Sequence, residues 1–276
     1  TNADGTTTTT YGYDACGSQT AKNAVGVDPE SALYAYNLEN RLSAATITRT
    51  DKTASGTAVP VAISASYAYD QSGIRTQANQ TVTRTATNAT TTQNRTFLND
   101  PANHTGYSQV LEEYTNGSAT PTVSYLLADD VIAQSTGTSS LNLHPSYFLL
   151  DGHGSNRLLT GTGGSILGRM SYDAYGDLLG NKANTQSPAA SDFGYSGEQF
   201  DAGLGLHYLR ARYYSSLTGT FNRLDPFAGD QEEPQSYNKY AYTHQDPVNS
   251  TDPSGLFSFT EMLVVSLIVG LLASIL

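Results

Sequence analysis

The repeated unit Tyr-x-Tyr-Asp/Asn-x-x-Gly/Asn constrains this chain more than any other feature. It occurs as Tyr11-Gly-Tyr13-Asp14-Ala-Cys-Gly17, as Tyr34-Ala-Tyr36-Asn37-Leu-Glu-Asn40 and as Tyr67-Ala-Tyr69-Asp70-Gln-Ser-Gly73. Aromatics at i and i+2 fall on one face of a strand. The Asp or Asn behind them, with Gly or Asn three residues on, supplies a turn that has a left-handed position. Each unit therefore reads as strand, tight turn, strand. Degenerate copies follow at Tyr147-Phe-Leu-Leu-Asp151-Gly-His153-Gly154 and at Tyr172-Asp173-Ala-Tyr175-Gly176-Asp177. Such an array buries each unit against its neighbours. The uneven spacing calls for intervening hairpins of variable length.

The segments between the units agree with this. Pro60–Tyr67 and Thr120–Leu127 alternate and are rich in β-branched residues, so both read as strands, and residues 102–113 are read the same way. The low-complexity start, TNADGTTTTT, reads as a frayed end or an edge strand. Pro188 marks an exposed loop. No convincing 3.6-residue period precedes residue 256, so the expected fold is all-β, built of antiparallel hairpins.

Charge and residue usage exclude several function classes. There are 14 Lys and Arg against 25 Asp and Glu, a net charge of -11. Phosphate binding needs clustered cations, so nucleic acid is not an expected partner. Cys16 is the sole cysteine, which rules out an internal disulfide and a thiolate metal cluster. The five histidines (104, 144, 153, 207 and 244) form no i, i+4 pair, so neither metal nor cofactor is expected. Nineteen Tyr and no Trp suit half-buried sheet faces. The start at Thr1, without Met or a signal peptide, fits a processed product or a fragment. An acidic, Thr-rich, Lys-poor composition suits export.

Other motifs yield to simpler readings. Asp151-Gly-His153-Gly154 is a turn. Gly161–Ile166 lacks the third glycine of a dinucleotide loop, and Gly194-Tyr-Ser196-Gly197 lacks the spacing of a nucleophile elbow. His207-Tyr-Leu-Arg210-Ala-Arg212-Tyr213-Tyr214 alternates as an Arg/aromatic strand, explained by cross-strand stacking inside a β structure. Sequons cluster at Asn79, Asn88, Asn94 and Asn103, with others at Asn116 and Asn249. They are glycosylation sites only if the source modifies exported proteins. Met262–Leu276 runs fifteen residues without a charge. The tail 257–276 reads as one apolar helix, and three roles stay open: a membrane segment, a helix packed in a lumen or subunit interface, or the start of an effector segment.

Four further stretches carry a family resemblance: YFLLDGHGSNRLL, MSYDAYGDLL, FGYSGEQFDAGLGLHYLRARYYSSLTGTF and the closing DPSGL. With the Tyr-Asp units they resemble an RHS/YD-repeat protein ending in the RHS repeat-associated core region, most densely over 193–256. The resemblance implies a ribbon curled into a partial shell or barrel-like wrap. It divides the chain into a degenerate repeat region (1–145), a core region (146–256) and the apolar tail (257–276). It implies a secreted or cell-surface module that encloses or displays a C-terminal segment, often a toxin. Its partners would be its own upstream repeats or copies of itself, and an effector segment or a membrane reached through the tail. The alternative is a non-enzymatic structural protein that polymerises through β edges and the tail.

The resemblance also implies chemistry. Core regions of this kind are similar to intramolecular aspartyl proteases that cut after DPxGL. Asp225 in FNRLDP and Asp252 in TDPSGL match the catalytic pair, and the scissile bond is Leu256–Phe257. Two carboxylates held close cannot both ionise, so one serves as acid while the other activates water. The bland reading is turn chemistry, which covers Asp28-Pro29 and Asp100-Pro101. One departure concerns Thr220, which stands where the family commonly has Arg. Arg223 or Arg212 is then the candidate for the missing cation.

Overall fold

The computed structural model describes residues 7–26, 29–52, 57–101, 103–137, 144–179, 191–232 and 234–256. One turn recurs through it. Asp14 Oδ1 accepts the backbone N–H groups of Cys16 at 2.9 Å and Ser18 at 2.8 Å, while Gly17 sits at φ +74°. Asn37 does the same for Glu39 and Arg41, and Asp151 for His153 and Ser155. Asp173 takes Tyr175 and Asp177, and Asp70 takes Ile74. The side chain satisfies amides that the reversing backbone would leave bare. The Gly or Asn three residues on absorbs the left-handed conformation.

All but the Asp173 turn link strands of a continuous antiparallel sheet. Its first strands are β1 (Thr8–Tyr13), β2 (Gln19–Val25), β3 (Glu30–Tyr36), β4 (Leu42–Lys52), β5 (Ala58–Tyr69), β6 (Arg75–Arg84) and β7 (Ala89–Asp100). There follow β8 (Gln109–Thr115), β9 (Val123–Leu127), β10 (Val131–Thr136), β11 (His144–Leu150), β12 (Asn156–Gly161) and β13 (Ile166–Arg169). Every strand pairs with its sequence neighbours alone, in the order β1 to β13. The sheet thus crosses residue 146 without a break. A register shift falls at the second aromatic of the first three units, between Gly12 and Tyr13, Ala35 and Tyr36, and Ala68 and Tyr69. In the second and third units the bulge turns that ring toward the preceding unit. Tyr36 donates its hydroxyl to the Gln19 carbonyl at 2.9 Å, and Tyr69 to that of Leu42 at 2.7 Å.

A second sheet follows: β14 (Gln199–Asp201), β15 (Leu206–Leu209), β16 (Arg212–Ser215) and β17 (Thr220–Phe221). It covers the inward face of the ribbon. Ala32, Tyr34, Ile47, Val61, Ile63 and Tyr67 alternate inward along β3–β5 and share one core with Leu206, Tyr208, Leu209 and Tyr213. Fully burying an Ile or Leu contributes about 1.5–3 kcal/mol, so this contact is the main force holding the second sheet in place.

Buried cations then fix its position. Arg75, buried in the middle of the contact, bonds Gln199 Oε1 at 2.9 Å and the Tyr213 hydroxyl at 3.1 Å. It lies 4.1 Å from the Tyr208 ring and 3.6 Å from Asp201. Arg49 donates to the carbonyls of Ala202 and Gly203, and Arg95 pairs with Asp192.

The structure corrects two expectations. Of the partial shell and the barrel-like wrap, the second is not met, because among the described residues β1 and β13 are the edges of a sheet that does not close. The Arg/aromatic segment is not one strand but a tight hairpin, with Leu209 opposite Arg212 and Arg210 at φ +52°. The apolar helix expected over 257–276 lies outside the described residues, as does the Pro188 loop. Among the described residues the helical elements are short 3-10 turns, and no helix is long and apolar enough to cross a membrane.

Candidate active site

Three segments converge where the second sheet ends. Arg212 opens β16 and is set by the hairpin turn before it. That turn lacks glycine at Arg210, and the Arg210 guanidinium secures it by bonding both Glu198 oxygens (2.8 and 2.9 Å) and the Ser108 carbonyl (2.6 Å). Asp225 follows β17. Its backbone N–H donates to the Lys239 carbonyl and its Oδ1 accepts the Phe227 N–H at 2.8 Å. Asp252 belongs to the closing DPSGL, which is another copy of the repeat turn. Its Oδ1 accepts the Leu256 N–H at 3.1 Å and the Ser254 hydroxyl at 2.9 Å, and Gly255 takes φ +69°. A Cβ on Gly255 would lie 2.1 Å from the Leu209 carbonyl oxygen, so the turn and the hairpin close on each other through glycine alone.

The two aspartates meet on a single nitrogen. Arg212 Nη2 lies 2.7 Å from Asp225 Oδ2 and 3.6 Å from Asp252 Oδ2. Arg212 Nε donates to the Gly255 carbonyl, and its guanidinium stacks 3.6 Å from the centre of the Phe221 ring. Asp252 is 3% exposed. Burial pushes its carboxyl up to about 7, and Asp225 adds to the rise. Arg212 and the Ser254 and Leu256 hydrogen bonds pull it back. Burial likewise lowers Arg212 from the usual arginine range. Beside the pair is a cavity of about 20 Å³, lined by Arg212, Asp225, Thr243, His244, Asp252 and Leu256. That is room for one water.

The sequence-derived residues therefore divide. Asp225, Asp252 and Leu256 come together, and the cation between the carboxylates is Arg212. Arg223 instead donates to the carbonyls of Asn40 (3.0 Å) and Ala211 (2.9 Å), fastening this region to the second repeat turn. Phe257 lies outside the described residues. Among the sequons, Asn88 and Asn94 are exposed and Asn79 is half-buried opposite Asn94. Asn103 donates its amide nitrogen to the Tyr107 carbonyl at 3.0 Å. Among the described residues no group of three or more His, Cys, Asp or Glu could hold a metal ion.

Sequence reasoning missed the residues that hold the strap 247–255, and two of them lie in motifs it set aside, one as a turn and one as a failed nucleophile elbow. Tyr195 Oη is 3.1 Å from the Pro247 carbonyl and His153 Nε2 is 3.3 Å from that of Ser250. Arg210 donates to the Pro253 carbonyl, and the Ala211 N–H to that of Ser254. The signal was present in composition as donors without an assigned acceptor, but the acceptors are backbone and leave no trace in sequence.

No family model matches the chain. It is 29% identical over 222 residues to the tRNA3(Ser)-specific nuclease WapA of Bacillus spizizenii, covering 80% of this chain and 8% of that protein. Over 109 residues it is 32% identical to the tRNA nuclease WapA of Bacillus subtilis, covering 40% of this chain and 5% of that one. The chain thus spans less than a tenth of the WapA proteins it matches. It is also 32% identical over 123 residues to Salivary gland surface protein 1 of Aedes aegypti, covering 44% of this chain and 3% of that one. The crystal structure of TcdB2-TccC3-Cdc42 shares its fold at a TM-score of 0.56 and 20% identity, over 91% of this chain and 13% of that one. By motif, relatives and fold the chain is RHS-like.

Proposed function

We propose that this chain is the closing segment of a secreted or cell-surface RHS/YD-repeat shell, and that it cuts its own backbone after Leu256. In this reading 1–145 are the last repeats, and 146–256 are the core region that encloses or displays whatever follows. The observation that carries the reading is the meeting of Asp225 and Asp252 on one Arg212 nitrogen beside a water-sized cavity lined by Leu256.

The closer ion pair assigns the negative charge to Asp225, and Asp252 holds its proton to about pH 7. Asp225 takes a proton from water, whose oxygen bonds to the Leu256 carbonyl carbon. Asp252 gives its proton to the carbonyl oxygen. Collapse breaks the Leu256–Phe257 C–N bond: the leaving nitrogen takes the proton that Asp225 received from water, and the hydroxyl on the former carbonyl oxygen returns its proton to Asp252 as the Leu256 carboxyl group forms. The nuclease activity in the WapA names is not carried over, since the match covers so little of those proteins.

The test is intact-mass analysis of the purified protein after incubation between pH 5 and 9. Fragments ending at Leu256 and starting at Phe257 are expected, formed more slowly as pH rises through about 7. Asp225→Asn and Asp252→Asn should each slow the cut by about 100-fold or more, the scale of losing an acid or base. An intact wild-type chain at every pH disposes of the protease and leaves the structural reading.

A further inference from the structure

The strap 247–255 is held by its carbonyls. His153, Arg210 and Arg212 each direct a side-chain donor at a different carbonyl oxygen, those of Ser250, Pro253 and Gly255, while the Tyr195 hydroxyl lies between the carbonyls of Ala174 (2.9 Å) and Pro247 (3.1 Å). His153 stands apart in this set, because its ring can present either a donor or an acceptor on each nitrogen. Its Nδ1 lies 3.1 Å from Ser196 Oγ and its Nε2 3.3 Å from the Ser250 oxygen. A carbonyl only accepts, so Nε2 carries a proton, and in the neutral ring Nδ1 is then the acceptor of the Ser196 hydroxyl.

Ser196 is placed for this by a left-handed backbone at φ +51°, with its own N–H on Ser155 Oγ at 3.0 Å. His153 and Ser155 in turn rest on Asp151. A line of hydrogen bonds therefore runs from a repeat turn of the ribbon, through His153, to a carbonyl two residues before Asp252.

We infer that His153, with its tautomer set by Ser196, is a positioning residue that holds the strap so that Asp252 stays against Arg212. The inference rests on the self-cleavage reading for its consequence, but its geometry can be tested without any cutting. In an Asp225→Asn background the amide exchange of 251–256 is measured by mass spectrometry, with residues 42–69 as an internal control. His153→Ala should speed exchange of the strap by about ten-fold, the effect of losing one hydrogen bond, and leave the control unchanged. His153→Gln, which keeps a donor near the Nε2 position, should restore protection.

With Asp225 intact, His153→Ala should slow the cut about ten-fold and His153→Gln should recover most of the rate. Unchanged strap exchange in His153→Ala overturns the inference. So does control exchange that rises with the strap's and is not restored by His153→Gln. Strap protection that depends on His153 in a chain that never cuts supports the positioning role and removes the protease instead.

Discussion

At the scale of single residues, the decisive quantity is the burial of Asp252. Its folded carboxyl titrates near 7, against about 3.9 for an exposed aspartate. Because the folded value is raised, the folded state binds the extra proton. Its contribution to stability is fully present below about pH 4 and lost as pH rises through 7. A carboxyl held that far above its exposed value contributes roughly 4 kcal/mol at most. Asp252→Asn removes this titration, so above pH 7.5 the variant should be more stable than the parent by some ~2–4 kcal/mol. The gain should vanish below pH 4, as read from urea unfolding midpoints across pH. His207 acts in the opposite sense: buried among the rings of Tyr195, Phe200 and Tyr214, it is lowered to about 4. Its contribution is present above about pH 6.5 and lost as pH falls toward 4.

At the scale of elements, the repeat turn is the common part. Gly255→Ala tests it where backbone crowds the turn most closely, since the new Cβ would meet the backbone oxygen of Leu209 and the residue would have to adopt a left-handed φ. Neither contact can be relieved by a side-chain rotation. A loss of about 2–4 kcal/mol in thermal or urea unfolding is expected, together with loss of any self-cleavage. The turns and strands were legible in sequence because Asp, Gly and alternating aromatics act locally. The hairpin at Arg210 was not. Its turn carries no glycine or asparagine, and is imposed by Glu198, Ser108 and Pro253, residues 12, 102 and 43 positions away. The same holds for the choice of Arg212 over Arg223. Spacing offered both, and the register of β15 with β16 selected one.

At the scale of the whole molecule, the second sheet and the ribbon share a core, while the β6–β7 turn and the first half of β7 lie at its margin. Residues 84–94 are all exposed, and β8 meets β7 only from Arg95 onward. Amide exchange should therefore find 84–93 opening first, and β4, β5, β15 and β16 last and together as one cooperative unit. Separate protection of β4–β5 and β15–β16 would contradict a shared core. The inward packing of 191–256 could not be read from the chain, because periodicity says which face is apolar but not what covers it.

The recurrence of the repeat turn at DPSGL has a consequence for how such a site can arise. In Asp151 the second carboxylate oxygen faces a half-exposed Arg157 at 2.6 Å and does no more than brace a turn. In Asp252 the same turn is dry, and its second oxygen meets an arginine already engaged by another aspartate. A scaffold built of such turns thus holds several less buried counterparts of the one proposed here as the acid. What separates the two turns is the solvent around them and the charge across from them. New chemistry in such a chain requires no new backbone, only a buried copy of a part it already repeats.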